Sequence, residues 1–419
     1  MRAYILDTGH RIFPFGDPVG ELTVGNERVA DAQARVLGEL GLEVRHITEL
    51  SQIEGGGLLT YDDVYFTLRV LGDFWARVRR GGGSATLALP RSLFTEMSLP
   101  GTDVEHEPGE GGEVAAFRIH YLDGAGPWTE ERLAGLKRVV PKFREKVIEG
   151  ATPTRLVADQ YRYPVTSSVV FHLRNWYHLF RANLQALAIR WVEQITGHKL
   201  WTATRLLAAL PGAARSPLWS AAGKFNVRGR GCRIHPSALV EFSILGDGVR
   251  IGAGAIVRGC ILGHETNISD GSHLQYSVLG ERCFTSKSTI LNGVVAFDDS
   301  DVCPALQLSL VGKECSLTAR CYVLDINLQG TVKIFDGEQV IDTGTSYLGA
   351  CLGHRVRTGF DVVIAHGRAI PNDTVLVSDD DDVLRRLPDR LPPGVPLVVK
   401  SGVPVPKKTP AKKKKKKKK

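Results

Sequence analysis

The chain has 419 residues, 43% of them hydrophobic and 23% charged, which excludes a collagen-like or wholly disordered protein and predicts two or three packed domains. Its formal net charge of +8 points to nucleic acid only until the last thirteen residues, KKTPAKKKKKKKK, are set apart. They hold ten lysines, and without them 43 Lys and Arg face 45 Asp and Glu, a net −2. The basicity belongs to this tail over 407–419, expected to be disordered and to attract anionic partners non-specifically: phosphates, nucleic acid or a membrane surface.

At the N-terminus, MRAYILDTGHRIF has too short an apolar run for a signal peptide. No stretch of eighteen apolar residues follows anywhere, so a cytoplasmic protein without a membrane span is expected. MRAYILD reads as a strand, NERVADAQARVLGELG as a helix stopped by Gly41, and LEVRHI as a second strand. This alternation predicts an α/β domain with a partly parallel sheet over residues 1–125. Residues 126–225 read as a mostly helical connector. There Val169, Leu173, Trp176, Phe180, Leu184, Leu187, Trp191 and Ile195 step by four or three, one apolar stripe over more than seven turns. Arg174, His178 and Arg181 fall on another face. A basic amphipathic helix with tryptophans can lie on a membrane, although packing on a neighbouring domain is the commoner arrangement.

From residue 226 the chain repeats itself. FSILGDGVRIGAGAIV, GCILGHETNISDGSHL, YSVLGERCFTSKSTIL and LSLVGKECSLTARCYV align on a Leu-Gly or Val-Gly step, with Leu245, Leu262 and Leu279 seventeen apart. Ile251 and Ile268 keep the same spacing, as do Val257 and Leu274. Further on, Leu352, Thr358, Ile364, Ile370 and Leu376 recur every six residues. About six residues per side and about eighteen per coil describe a triangular solenoid with one inward aliphatic per side and small residues at the corners, over 226–378. Within it, TVKIFDGEQVID reads as a hairpin excursion around Asp336-Gly337, an insertion over 329–345. Residues 379–406 read as an acidic, proline-rich cap. The seven cysteines form no C-x-x-C pair and are read as reduced core residues.

An N-terminal α/β domain followed by hexapeptide coils resembles the sugar-phosphate nucleotidyltransferases that carry a C-terminal left-handed β-helix. Mannose-1-phosphate guanylyltransferase and the bifunctional N-acetylglucosamine-1-phosphate uridylyltransferase are members. The resemblance implies an abbreviated nucleotidyltransferase-like domain, a helical middle and a left-handed parallel β-helix, assembled as a homo-oligomer, a trimer. It implies nucleotide and sugar phosphate as ligands. In that family a glycine-rich loop after the first strand cradles phosphates; here ILDTGHRIFPFG offers Gly9 and Arg11, while His10 intrudes and the second glycine is missing. LLTYDDVYFTLRVLGDFWARVRRGGGSATLAL resembles the family's strand-Asp-helix-strand segment, which makes Asp62 or Asp63 the Mg²⁺ ligand. The competing assignment is that these acids cap a helix beginning near Tyr65.

The family's acetyltransferase motif is matched in DTGTSYLGACLGHRV around Ser346, Tyr347 and Gly349, with Gly344 where the motif has its general base. His354 or His366 could substitute, with Arg355, Arg357 and Arg368 as phosphate contacts for acyl-CoA, although a histidine at a solenoid corner is more often plain polar surface. Three functions therefore stand: a nucleotidyltransferase acting on a sugar 1-phosphate and a nucleoside triphosphate with Mg²⁺, a hexapeptide acyltransferase using acyl-CoA, and a non-catalytic regulatory or scaffolding relative.

Overall fold

The computed structural model describes residues 1–124, 126–150, 161–213, 223–378, 384, 386–388 and 395–407. The acidic run 379–383 and the lysines after 407 lie outside the described residues.

The first strand, β1, spans Arg2–Leu6. A short hairpin follows, β2 (Thr23–Val24) with β3 (Glu27–Arg28), and leads into helix α1 (Val29–Glu39). Gly41 ends α1 as expected, taking φ +71°, the left-handed conformation that a helix C-terminus requires. Then come β4 (Glu43–Ile47), β5 (Gly57–Tyr61), β6 (Val64–Phe66), α2 (Leu68–Gly81), β7 (Ala85–Pro90) and the short α3 (Leu93–Ser98). β8 (His106–Gly109), β9 (Gly112–Leu122), α4 (Glu130–Ala134) and β10 (Lys137–Val139) follow. The sheet runs β10-β7-β9-β5-β1-β4 with β8 beside β9. β1 pairs in parallel with β4 and β5, and β10 with β7, whereas β9 is antiparallel to β5 and β7. The sheet is thus partly parallel, as its sequence predicts.

The middle segment departs from expectation. Among its described residues the first half is mostly strand, with only the short α4 helical: β10 joins the main sheet, β11 (Lys146–Glu149) pairs with β12 (Arg162–Val165), and β13 (Val170–His172) pairs with β6. Helix α5 (Trp176–Gly197) begins only after Asn175, whose side chain accepts the His178 amide and so fixes the start. Val169 and Leu173 therefore precede the helix. Nor is α5 amphipathic over its first three turns, where Trp176 through Ala186 are all buried, His178 and Arg181 included. It is wedged between the sheet and the coils: Asn183 holds the β2–β3 hairpin through the Gly25 amide at 2.9 Å and the Thr23 carbonyl at 2.8 Å. A Cβ on Gly25 would lie 2.7 Å from that of Ala186. Helix α6 (Lys199–Ala213) completes a helical pair. No described helix is long and apolar enough to cross a membrane.

From Val227 to Leu376 the chain forms a parallel β-helix of stacked two- and three-residue strands. The register is the predicted one: Leu245 pairs with Leu262 and Leu262 with Leu279, Ile251 with Ile268, and Val257 with Leu274. Leu352, Thr358, Ile364, Ile370 and Leu376 each occupy a successive strand. The glycine of each Leu-Gly step is needed for close approach between coils rather than for a left-handed φ. A Cβ on Gly312 would lie 2.6 Å from the Gly353 carbonyl carbon, and one on Gly353 would lie 2.7 Å from the Asn372 amide. The predicted excursion is an antiparallel hairpin, Lys333–Phe335 with Val340–Asp342. All seven cysteines are free and five are buried, as expected of small core residues.

One face of the coil is apolar on both sides. Leu262, Leu279 and Val311 point into the β-helix, while their neighbours Ile261, Val278, Val295, Leu310 and Cys351 point outward and are buried against the core that contains Trp176 and Phe180. Each such side chain contributes about 1.5–3 kcal/mol of burial. This outward stripe joins the coils to α5 and the sheet.

Candidate functional site

The sheet order reverses about β1 and β5, because the chain leaves β1 for β4 on one side and leaves β5 for β7 on the other. Open α/β sheets bind ligands outside the carboxyl ends of their strands at such a point. There the Asp62 amide donates to the Leu6 carbonyl, drawing the ends of β1 and β5 together. Asp62 Oδ1 accepts both the Thr8 amide, at 3.0 Å, and the Thr8 hydroxyl, at 2.7 Å. Asp62 thus holds the loop that carries Gly9, which brings two of the residues singled out in the sequence side by side.

The loop after β1 satisfies itself. The Gly9 amide donates to Asp7, and the His10 amide to the Thr8 hydroxyl, while Arg11 turns to the Gly16 carbonyl at 2.6 Å. The donors that an incoming phosphate would use are engaged within the loop. Burial lifts the Asp62 carboxyl above the ordinary aspartate range, with the two Thr8 bonds opposing it.

Asp63 is 1% exposed. Its Oδ2 pairs with Arg174 at 2.9 Å, and its Oδ1 is buried with no partner among the described residues. Neither Asp62 nor Asp63 caps a helix, since α2 begins at Leu68 with Thr67 at its cap position. Around the pair lie residues that sequence reasoning did not assemble. His172 Nε2 accepts the Arg118 amide at 3.0 Å, and His178 Nδ1 accepts the Arg174 amide at 3.2 Å. The His10 ring meets the Arg174 carbonyl at 2.9 Å, while Arg118 pairs with Asp103 and lies over the Tyr61 ring. Burial, the leading cause for both, pushes His172 down to about 4 and His178 down to about 3, so both are neutral near pH 7. No group of three or more His, Cys, Asp or Glu that could hold a metal ion occurs among the described residues. A divalent cation here would therefore share its coordination with ligand phosphates, as Mg²⁺ commonly does.

On the β-helix the picked residues do not converge on one pocket. His354 is buried: its Nδ1 accepts the Lys313 amide at 2.8 Å, leaving Nε2 to carry the proton and donate to Asp17 at 3.0 Å. Neither nitrogen keeps a lone pair for a substrate proton. Its ring lies against Phe15, with centroids 4.9 Å apart, and Asn372 bonds both the His354 amide and the Phe15 carbonyl. The same corner bond recurs at His264, which accepts the Asp247 amide. His354 thus fastens the 10–18 loop to the coils. Arg355 is paired with Asp373, and Tyr347 is buried with its amide on the Thr345 hydroxyl. His366 is half-buried, and its Nδ1 has no partner among the described residues. Arg368 lines a cleft of about 430 Å³ at the last coils, with Ile364, Ile370 and Leu376.

No family model matches the chain, and no curated protein matches it. Among solved structures it is similar to the acetyltransferase domain of PglB from Neisseria gonorrhoeae FA1090 in complex with acetyl coenzyme A. The identity is 12% and the TM-score 0.15, and the match covers 34% of this chain and 52% of that one. The chain spans about half the length of that domain, and likeness at this level carries nothing about activity. The comparisons lend no support to the nucleotidyltransferase resemblance of the N-terminal half.

Proposed function

We propose that the chain is a group-transfer enzyme whose reaction centre is the crevice at the carboxyl ends of β1 and β5, acting on a nucleoside triphosphate and a sugar 1-phosphate. The observation that carries this reading is Asp63: a buried carboxylate with one oxygen on Arg174 and the other without a partner among the described residues, beside the loop that Asp62 holds. A buried, half-satisfied acid costs stability, and such a cost persists where a ligand removes it. Asp62 and Asp63 are the residues that would hold Mg²⁺, which when bound supplies neutralisation of phosphate charge. Arg174, paired with Asp63, and Arg118, paired with Asp103, supply positive charge beside them. In the reaction a sugar-phosphate oxygen forms a bond to the α-phosphorus as the bond to the leaving pyrophosphate breaks, and pyrophosphate departs with the electron pair. Positioning by the Thr8–His10 loop, after it exchanges its internal bonds for phosphate oxygens, is this chain's contribution.

Acyl transfer on the β-helix is the second reading, favoured by one observation: the half-buried His366, with a ring nitrogen that has no partner among the described residues, stands two residues from Arg368 and its cleft. Equilibrium binding at moderate salt separates the two. The full chain is titrated with nucleoside triphosphates plus Mg²⁺ and with acetyl-CoA, each against Asp63→Asn and His366→Gln. The first reading requires saturable, Mg²⁺-dependent nucleotide binding that Asp63→Asn weakens at least about tenfold, the order expected for a lost charged contact. Acetyl-CoA binding sensitive only to His366→Gln would replace it with the second, and binding of neither ligand would leave the scaffold.

A further inference from the structure

A cleft between α6 and the first coil has no part in the proposed reaction centre. Its volume is about 440 Å³, and it is lined by Trp201 and Arg205 of α6, by Lys224 and Asn226 of the segment that enters the coils, and by Val227 and Arg228 of their first strand. Helix α5 separates it from the crevice. Arg174 precedes the first turn of that helix, whereas Trp191, which meets Trp201, lies about 25 Å further along at about 1.5 Å per residue.

The walls of the cleft are held by contacts of their own. The Asn226 side chain donates to the Gly223 carbonyl at 3.1 Å and to the Val240 carbonyl at 2.8 Å, and it accepts the Ser243 amide at 3.0 Å. The segment that carries Lys224 and Arg228 is thereby pinned to the coils. Trp201 sits against Trp191 and Phe225, and its ring carries the Arg205 guanidinium at 5.5 Å.

The charge in the cleft is of one sign. Between Glu193 and Glu241 the chain runs 47 residues without one Asp or Glu, yet with seven Lys or Arg. Elsewhere on these coils the arginines have acids: Arg230 meets Asp247 at 3.1 Å and Arg258 meets Glu241 at 2.7 Å. Arg205, Lys224 and Arg228 have no ion-pair partner among the described residues. The Arg205 Nε is, in addition, buried with no hydrogen-bond acceptor among them. Three cations on one concavity repel one another, and a buried N–H without an acceptor costs about 1–3 kcal/mol. A bound anion removes both costs.

We propose that this cleft is a binding site for a small organic phosphate, whose phosphate oxygens meet Arg205, Lys224 and Arg228 and whose carbon skeleton lies along Val227. One guanidinium satisfies a carboxylate, whereas a phosphate offers oxygens to several separate cations. A volume of about 440 Å³ exceeds an inorganic ion and suits a small molecule. A nucleic acid carries the same group, but it is met by cations spread along a surface rather than gathered in a cleft.

The test is calorimetric titration of the full chain with ribose 5-phosphate, and separately with inorganic phosphate, at about 0.15 M salt to screen the lysine tail. Wild type is expected to bind the sugar phosphate saturably and the inorganic ion more weakly. Lys224→Gln/Arg228→Gln, a change at exposed positions, is expected to weaken that binding at least about tenfold. Arg233→Gln/Arg250→Gln removes the same charge from another face of the same coils and is expected to bind like wild type. Asp63→Asn is expected to retain the site, because the crevice is elsewhere. Circular dichroism checks that each variant is folded. The proposal is overturned if wild type shows no saturable binding, or if inorganic phosphate binds as tightly as the sugar phosphate. Equal weakening in the two double variants would assign binding to net charge and the tail, and loss in Asp63→Asn would assign it to the crevice. A single-stranded oligonucleotide that binds through Lys224 and Arg228 where ribose 5-phosphate does not would overturn it in favour of nucleic acid.

Discussion

Three buried histidines make the protein acid-sensitive in a calculable way. Burial is the leading cause that pushes His120 down to about 3, His172 to about 4 and His178 to about 3, whereas an unfolded histidine titrates near about 6.5. A folded-state value below the unfolded one means that the unfolded chain binds more protons, so stability falls as the pH falls past about 6.5 and continues to fall toward about 3. At pH 5, about 1.5 units below the unfolded value, each histidine is protonated when unfolded and still neutral when folded, which costs about 2 kcal/mol per histidine. Together they remove about 6 kcal/mol, the order of a whole domain's stability. His354, also held low by burial, adds in the same direction. Urea unfolding at pH 8, 7, 6 and 5 should show a flat region above pH 7 and a steep loss below 6.5. Replacing His120, whose ring bonds the Thr86 hydroxyl, with Gln should remove about one proton from that slope. A midpoint that is constant from pH 7 to pH 5, or a slope unaltered in the variant, would refute the assignment.

Gly312→Ala should cost about 2–3 kcal/mol, because its Cβ would strike the backbone of the next coil at Gly353. Gly254→Ala, at φ +65° with open space around it, should cost only about 1 kcal/mol, and equal melting temperatures for the two would contradict the close-approach argument. His354→Ala strands the Lys313 amide and should destabilise by about 1–3 kcal/mol; in a double-mutant cycle with Asp17→Ala the two effects should fall short of additivity by at least about 0.5 kcal/mol. Gly25→Ala should open the contact between the β2–β3 hairpin and α5, detected as faster hydrogen exchange at the Gly25–Asn26 amides with little change at β1.

The coils were legible because their register is the sequence period itself: residues seventeen apart are hydrogen-bonded neighbours. The Asp-Gly hairpin was legible from its turn residues. The start of α5 was not, because a four-residue step is even and suits a strand as well as a helix; Val169 to Leu173 took the strand, and Asn175 marked the boundary. The face of the coils that packs on α5 also has a sequence signal. Its strands carry adjacent apolar pairs, Ile261-Leu262 and Val278-Leu279, where another face pairs a polar or charged residue with an aliphatic, as in Arg250-Ile251. An outward apolar residue repeated over five coils has to be covered. Of the candidate site, Gly9 and Asp62 were legible from local pattern. Arg174 on Asp63 and Asp17 on His354 were not, since 111 and 337 residues separate the partners and nothing local encodes either contact.

The loop that leaves β1 begins beside Asp62 at Thr8 and Gly9 and ends clasped by His354 and Asn372 on the last coils, with Phe13 resting on the hairpin at Phe335. Ten residues thus tie the first strand of the chain to its final turns. Anything that reshapes the loop at one end must strain or release its grip at the other. A fluorophore placed on the outer surface of those turns would then report a change in the loop beside Thr8 and Gly9, at the opposite end of the polypeptide.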